Sequence, residues 1–478
     1  MAVPLSRRTL LKAGGGAALG LAAGAGRLPA WARPVARAAW QLGPGALPFP
    51  NLAEGTPTTP HIEHIVVLMM ENHSFDNLLG MLPRRYRSRR KVDGLPVDAR
   101  GMPTPVNRRG GKAYRAELAP TPCQIEHHPG QNWNASHISY AHGRNSGFVR
   151  ASGPVAMWYW DRNTLPAMYS LAATFPIGQR FFCSTLCQTY PNRRFFFTGT
   201  ASGTIATSTA TFSIPAANGT IFDRLDRFGI SWKDYYVDLP SPLIVPGVAE
   251  SPERQAKFVS TTDFLADAAA GRLPQFSFVE PQYSYESQEN PQDIQVGERF
   301  IARIARAVMQ SPNWDRTALF ITYDEHGGYY DHVPPPAAIS PDDTPPLLNP
   351  GDIPGSYDRL GFRVPLIVVS PWAKRGYVSS VVQDLTSVLR FVERKWNLGA
   401  MTRRDANAAD MTDYFDFRRP AFREPPRIAA APPLGLGLEA CRRAGLHPPT
   451  PANPNGDASA AAVRELRARA RAAGLSAA

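Results

Sequence analysis

Two short apolar runs in this chain end abruptly in acid. His64-Ile65-Val66-Val67-Leu68-Met69-Met70 stops at Glu71-Asn72-His73, and Thr317-Ala318-Leu319-Phe320-Ile321-Thr322-Tyr323 stops at Asp324-Glu325-His326. Neither run alternates apolar with polar, so neither fits a strand with one face in water. A short continuous apolar run reads as a strand buried on both faces, as in a parallel sheet. Arg363-Val364-Pro365-Leu366-Ile367-Val368-Val369-Ser370 reads as a third. Helical patterns lie between, as at Val296 to Gln310 and Leu385 to Trp396. Strands alternating with helices predict an α/β fold with a mostly parallel central sheet and helices on both faces. Ligands of such sheets gather at the carboxyl ends of strands, where both acidic clusters are expected.

The 478 residues suffice for one large domain with insertions or two ordinary ones, and an apolar content of 43% excludes a disordered chain. Residues 84–180 are loop-rich and aromatic and are expected to cover the carboxyl edge of the sheet. From about 430 the chain turns Pro/Ala-rich, and Asp457 to Ala478 reads as a frayed helix or a disordered tail. Ser6-Arg7-Arg8-Thr9-Leu10-Leu11-Lys12 before an Ala/Gly/Leu stretch resembles a twin-arginine export signal, with Ala36-Arg37-Ala38 as a cleavage site. The expected divisions are therefore 1–38 signal, 39–430 catalytic domain and 431–478 tail. The translocase would be a partner during export, and the mature chain secreted, periplasmic or cell-wall associated.

The net charge of +12 divides informatively. Six basic residues and no acid lie in 1–38, and six more lie in the run Arg84 to Lys91, so the rest of the chain balances to zero. A neutral body with one local basic patch argues against nucleic acid as a partner. The patch reads either as a solvated loop or as a transient contact with anionic lipid headgroups. The four cysteines, Cys123, Cys183, Cys187 and Cys441, form no C-x-x-C pair, which argues against a cysteine zinc site.

Three clusters carry chemistry. Glu71-Asn72-His73-Ser74-Phe75-Asp76 offers two oxygen ligands after a strand, with Ser74 equally able to cap a following helix. Tyr323-Asp324-Glu325-His326-Gly327-Gly328-Tyr329-Tyr330-Asp331-His332 crowds ionisable ligands after another strand, where neighbouring carboxylates repel unless protonated or bound to a cation. Thr189-Tyr190-Pro191-Asn192-Arg193 places a hydroxyl at a helix start, where backbone N–H groups attract phosphate oxygens and Asn192 and Arg193 add donors. Together they point to metal-assisted phosphoryl transfer.

These stretches, with Gly361 to Pro365, Val369 to Trp372 and Thr386 to Glu393, resemble the bacterial phospholipase C / acid phosphatase family of phosphoesterases over roughly residues 60 to 420. The resemblance implies an alkaline-phosphatase-like fold and a divalent metal held by Glu71, Asn72, Asp324 and Glu325. It implies Thr189 as nucleophile. In this reading His332 or His326 protonates the leaving group, and Asn192, Arg193, His137 and Asp331 bind substrate. The expected substrate is a phospholipid of the phosphatidylcholine type. A phosphomonoester, another phosphodiester, or non-catalytic phospholipid binding are the alternatives. The chain departs from the family where histidines are expected, at Gln131, in the segment Glu289 to Asp293, and at Leu385. His127 and His128 are nearby substitutes.

Overall fold

The computed structural model describes residues 41–124, 129–433 and 457–475. The export signal, His127, His128 and Cys441 lie outside the described residues. One sheet of eight strands organises the chain. In chain order the strands are β1 (His64–Met70), β2 (Ile177–Gly178), β3 (Trp232–Tyr236), β4 (Phe258–Ser260), β5 (Phe276–Val279), β6 (Thr317–Tyr323), β7 (Leu366–Val369) and β8 (Val378–Ser379). Across the sheet they run β8-β2-β7-β6-β1-β5-β3-β4.

The five strands β6, β1, β5, β3 and β4 are mutually parallel. Every residue of β6 is buried, and successive side chains point to opposite faces, so both faces are covered. The third apolar run is shorter than its pattern and enters as β7, antiparallel to both β6 and β2. A parallel return needs a crossover element. The connection from Asp324 to Pro365 contains no helix, so the chain comes back antiparallel.

Six helices matter for the site: α1 (Phe75–Leu79), α2 (Trp133–Tyr140), α3 (Thr189–Thr198), α4 (Ile294–Gln310), α5 (Leu385–Trp396) and α6 (Asp457–Ala472). In α4, Ile294, Ile301, Ile304, Ala305 and Val308 are buried while Arg303 and Gln310 face water, the stripe expected of a 3.6-residue period. Asp293 caps its start by accepting from Gln295 N.

The tail differs from its expected frayed or disordered state. Ala462, Leu466 and Ala470, each four residues apart, are buried in the main core, and the Arg469 guanidinium lies 4.8 Å over the Phe212 ring. The Ala/Arg composition hides a narrow apolar stripe that only a partner surface makes useful.

Candidate active site

Because β1 and β6 are parallel and in register, with Met70 opposite Tyr323, their following residues emerge side by side. Glu71 and Asp324 thus meet at one edge. The neighbouring strand β5 contributes a third acid, Glu280, directly after Val279. All three face the guanidinium of Arg193 from α3. Its Nε donates to Asp324 Oδ2 at 3.0 Å and its Nη1 to Glu280 Oε2 at 3.0 Å, while Nη2 lies 3.9 Å from Glu71 Oε1. Glu280 escaped the sequence reading although the same signal, an apolar run ending in acid, marks it.

Arg193 is fully buried and balances protein carboxylates, while its Nη2 keeps no hydrogen-bond partner among the described residues. Asn192 is engaged within the protein as well. Its Oδ1 accepts from Thr185 N at 3.0 Å and its Nδ2 donates to Cys187 O at 2.8 Å, so it braces the turn ahead of Thr189.

One arginine does not neutralise this cluster. Burial, followed by Glu289 and Asp324, pushes Glu71 well above the ordinary carboxylate range. Burial and Asp324 do the same to Glu325, and burial raises Asp324 against the opposing pull of Arg193. Glu289 repels all three, yet sequence reasoning passed over it as the place of a missing histidine. Glu71 Oε2, Asn72 Oδ1 and Glu325 Oε1 are buried with no hydrogen-bond partner. Oxygen atoms that are buried, unpartnered and mutually repelling are the donors a hard or borderline divalent cation takes, and here the ligand atoms of Glu71, Asp324 and Glu325 do not all lie within 4.8 Å of one another.

The backbone holds this arrangement tightly. Asn72 adopts a left-handed φ of 71°, which asparagine tolerates better than most residues. Gly327, at φ +64°, approaches so closely that a Cβ there would lie 1.8 Å from Asn72 O. The double glycine after His326 lets the second motif lie against the first. The 129–160 segment closes over the same edge, with Gln131 Nε2 3.4 Å from Glu289 Oε1.

Thr189 is the first residue of α3, one helical turn before Arg193. It is buried to 8% exposure, and among the described residues its hydroxyl makes no hydrogen bond. The helix thus presents an unengaged hydroxyl at its positive end beside the acid cluster.

The phosphoesterase family matches residues 62–399, from just before β1 to just after α5. The chain belongs to the phosphoesterase family. This phosphoesterase is a hydrolase acting on phosphoric ester bonds. It is 30% identical to non-specific phospholipase C1 of Arabidopsis thaliana, with 75% of this chain and 71% of that protein covered. It is 31% identical to phospholipase C B of Mycobacterium tuberculosis, with coverage of 75% and 78%. Among solved structures, an alkaline phosphatase superfamily protein from Vibrio parahaemolyticus aligns at TM-score 0.34 and 12% identity, covering 70% of this chain and 78% of that one.

A second buried network of the phosphoesterase absorbs several predicted site residues. Arg363 Nε donates to Asp331 Oδ1 at 2.8 Å and Nη2 to Asp76 Oδ1 at 3.0 Å. His332 Nδ1 lies 2.6 Å from Asp76 Oδ2 and its Nε2 3.0 Å from Asp93 Oδ1. Asp76, Asp331 and His332 are the only His/Cys/Asp/Glu group among the described residues with three ligand atoms within 4.8 Å of one another. Arg363 already supplies the cation there. Asp331 anchors Arg363 and Val333 N. Burial raises its pKa to about 6, with Arg363 opposing.

The two candidate acids differ. Burial opposes a charge on His332, but Asp76 and Asp93 outweigh it and the pKa rises to about 9. His326 sits against the Phe362 ring at 4.6 Å, and burial lowers its pKa to about 3. Its Nδ1 also lies 2.9 Å from Glu325 Oε2. His137 lies apart from the acids, its Nδ1 donating to Trp133 O at 2.7 Å on α2.

The departures are filled in different ways. Gln131 keeps an unpartnered buried Oε1, Gln292 Nε2 donates to Tyr283 O at 2.7 Å, and Leu385 is fully buried in the core. Cys183 and Cys187 are buried and free. Their segment is not helical, and their sulfurs contact Thr185 O and Ile205 O instead of each other. Within the basic run, Arg89 is buried and donates to Phe175 O and Tyr377 O, while Arg84, Arg87, Arg90 and Lys91 stay exposed.

Proposed function

We propose that this phosphoesterase is a metal-dependent enzyme of phospholipase C type, cleaving the glycerol-side phosphodiester of a phospholipid with Thr189 as nucleophile. The observation that carries the reading is the unengaged Thr189 hydroxyl at the start of α3, beside the unpartnered oxygens of Glu71, Asn72 and Glu325. Thr189 Oγ gives up its proton as it attacks phosphorus, the bond to the glycerol oxygen breaks, and the leaving oxygen takes up a proton, so that diacylglycerol departs as the alcohol. Water then releases the phosphorylated headgroup from Thr189. Arg193 holds Asp324 and Glu280 in place, and Asn192 fixes the turn that aims Thr189. A divalent cation held by Glu71, Asn72, Asp324 and Glu325 supplies, when bound, positive charge next to the phosphoryl oxygens. The relatives named phospholipase C support the lipid substrate.

The test compares p-nitrophenyl phosphorylcholine with p-nitrophenyl phosphate. Wild type prefers the diester, and Thr189→Ala loses at least a thousandfold in turnover while keeping its fold, with phosphothreonine trapped at low pH only in wild type. Preference for the monoester redirects the reading to an acid phosphatase. Full activity of Thr189→Ala removes Thr189 from the chemistry. Chelation abolishes turnover and added divalent cation restores it.

Export through the twin-arginine route, with cleavage after Ala38, is part of the same proposal and rests on Arg7-Arg8 and Ala36-Arg37-Ala38. Replacing both arginines with lysine leaves uncleaved precursor in the cytoplasm; normal processing of that variant refutes the route.

A further inference from the structure

A cavity of about 550 Å³ opens between α2 and the loop 353–359, lined by Arg144, Arg150 and Arg359 together with Ile138, Leu186 and Ile353. None of the acid-cluster residues lines it. Leu186 belongs both to its wall and to the apolar cluster of Phe148 and Phe362, whose rings pack against His326. Arg144 and Arg150 are exposed. Arg359 donates to Pro335 O and stacks on the Tyr140 ring at 5.0 Å. Among the described residues none of the three forms an ion pair. Asp358 is the one acid in the lining, and burial lowers the His137 pKa, so the pocket carries net positive charge.

The same connection between β6 and β7 carries a second signal. Leu347 and Leu348 are 58% and 39% exposed, among the most exposed large apolar side chains of the described residues. Their backbone is not free to fold them inward. Leu347 N donates to Gly203 O at 2.8 Å, and a turn with Asn349 N donating to Asp352 Oδ2 pins the following residues. Asn134 of α2 then accepts from Ile353 N at 2.8 Å, which joins the leucine loop to the cavity wall. Two leucines held in water on the connection that forms the cavity wall, with three arginines lining the cavity against one acid, match an anionic bilayer. The apolar tips enter the acyl boundary and the guanidiniums meet phosphate oxygens.

We propose that this face is the membrane-docking surface of the enzyme and that the cavity holds the phosphate of an anionic phospholipid other than the one being cleaved. The inference rests on the phospholipid reading only for its choice of a bilayer as partner.

Cosedimentation with vesicles tests it, using phosphatidylcholine alone and phosphatidylcholine containing a third phosphatidylglycerol. Wild type binds the anionic vesicles at least tenfold more tightly, and added salt weakens that binding. Each arginine near an anionic surface contributes about 1 kcal/mol, so Arg144→Gln/Arg150→Gln loses on the order of thirtyfold. Leu347→Ser/Leu348→Ser loses binding to both vesicle types. Turnover of soluble p-nitrophenyl phosphorylcholine stays within twofold in both variants, which also shows that they fold. Unchanged vesicle binding in both variants overturns the proposal, as does an equal fall in soluble turnover. Displacement from vesicles by millimolar inorganic phosphate, seen with quenching of Trp133 next to His137, makes this a soluble-phosphate site and also overturns it. A dimer in sedimentation velocity that either variant dissociates does the same. Retained vesicle binding by a protein that cleaves no phospholipid supports the docking surface while sinking the phospholipase reading.

Discussion

The His332 network makes stability depend on pH with a sign and size that follow from its geometry. His332 is clamped between Asp76 at 2.6 Å and Asp93 at 3.0 Å, and its pKa rises from the ordinary 6.5 to about 9. A raised pKa means that the folded state binds the proton more tightly than the unfolded state. The stabilisation is therefore fully present below pH 6.5 and lost as pH rises through about 9. About 2.5 pH units at 1.36 kcal/mol each amounts to roughly 3 kcal/mol. The depressed pKa of Asp76 reflects the same contact, along with Arg363, and is not counted again. The experiment is urea unfolding of wild type and His332→Gln between pH 6 and 10, read as the difference between the two proteins so that other titrations cancel. At pH 6 the variant is less stable by roughly 3 kcal/mol; by pH 10 most of that difference has disappeared. An NMR titration of the His332 ring gives a midpoint near 9. A stability difference that does not change with pH, or a ring midpoint below 7, would refute the reasoning.

Three further outcomes follow from the site and the tail. Gly327→Ala forces a Cβ to within 1.8 Å of Asn72 O at a left-handed φ, so it costs about 1–2 kcal/mol from backbone strain alone and displaces Asn72. Turnover of the chromogenic diester falls more than tenfold with the circular dichroism spectrum unchanged; undiminished turnover would detach Asn72 from the site. Glu289→Gln relieves repulsion on Glu71, Asp324 and Glu325. It raises the melting temperature of the metal-free protein and weakens divalent-cation binding several-fold in calorimetry, and a shift of both in the opposite direction contradicts the charge argument. Leu466→Ala removes a buried side chain of α6 and costs about 2–4 kcal/mol in denaturant unfolding. A change below about 0.5 kcal/mol would mean that the helix does not dock.

What the chain reveals by itself is the framework. His64–Met70 and Thr317–Tyr323 could be read as buried strands because a run with both faces apolar leaves few other options at that length, and both form adjacent parallel strands. The acids that follow them had to emerge at the carboxyl edge, so Glu71 and Asp324 were legible as neighbours. The helix Leu385–Trp396 was visible in its period. The direction of β7 was not, because it depends on how the long Asp324 to Pro365 connection returns and not on the apolar run itself. Residue roles were least legible. Arg193, Asn192 and Asp331 have the chemistry of substrate ligands, but a side chain's donors go to whatever lies within 3 Å, and the fold places carboxylates and backbone groups there first. His326 and His332 are the same residue type six positions apart. Burial beside Phe362 lowers the pKa of one, while two aspartates raise that of the other. Sequence supplies the identity and order of ionisable groups. Their charge, and thus their work, is decided by burial and by partners that arrive from elements hundreds of residues away.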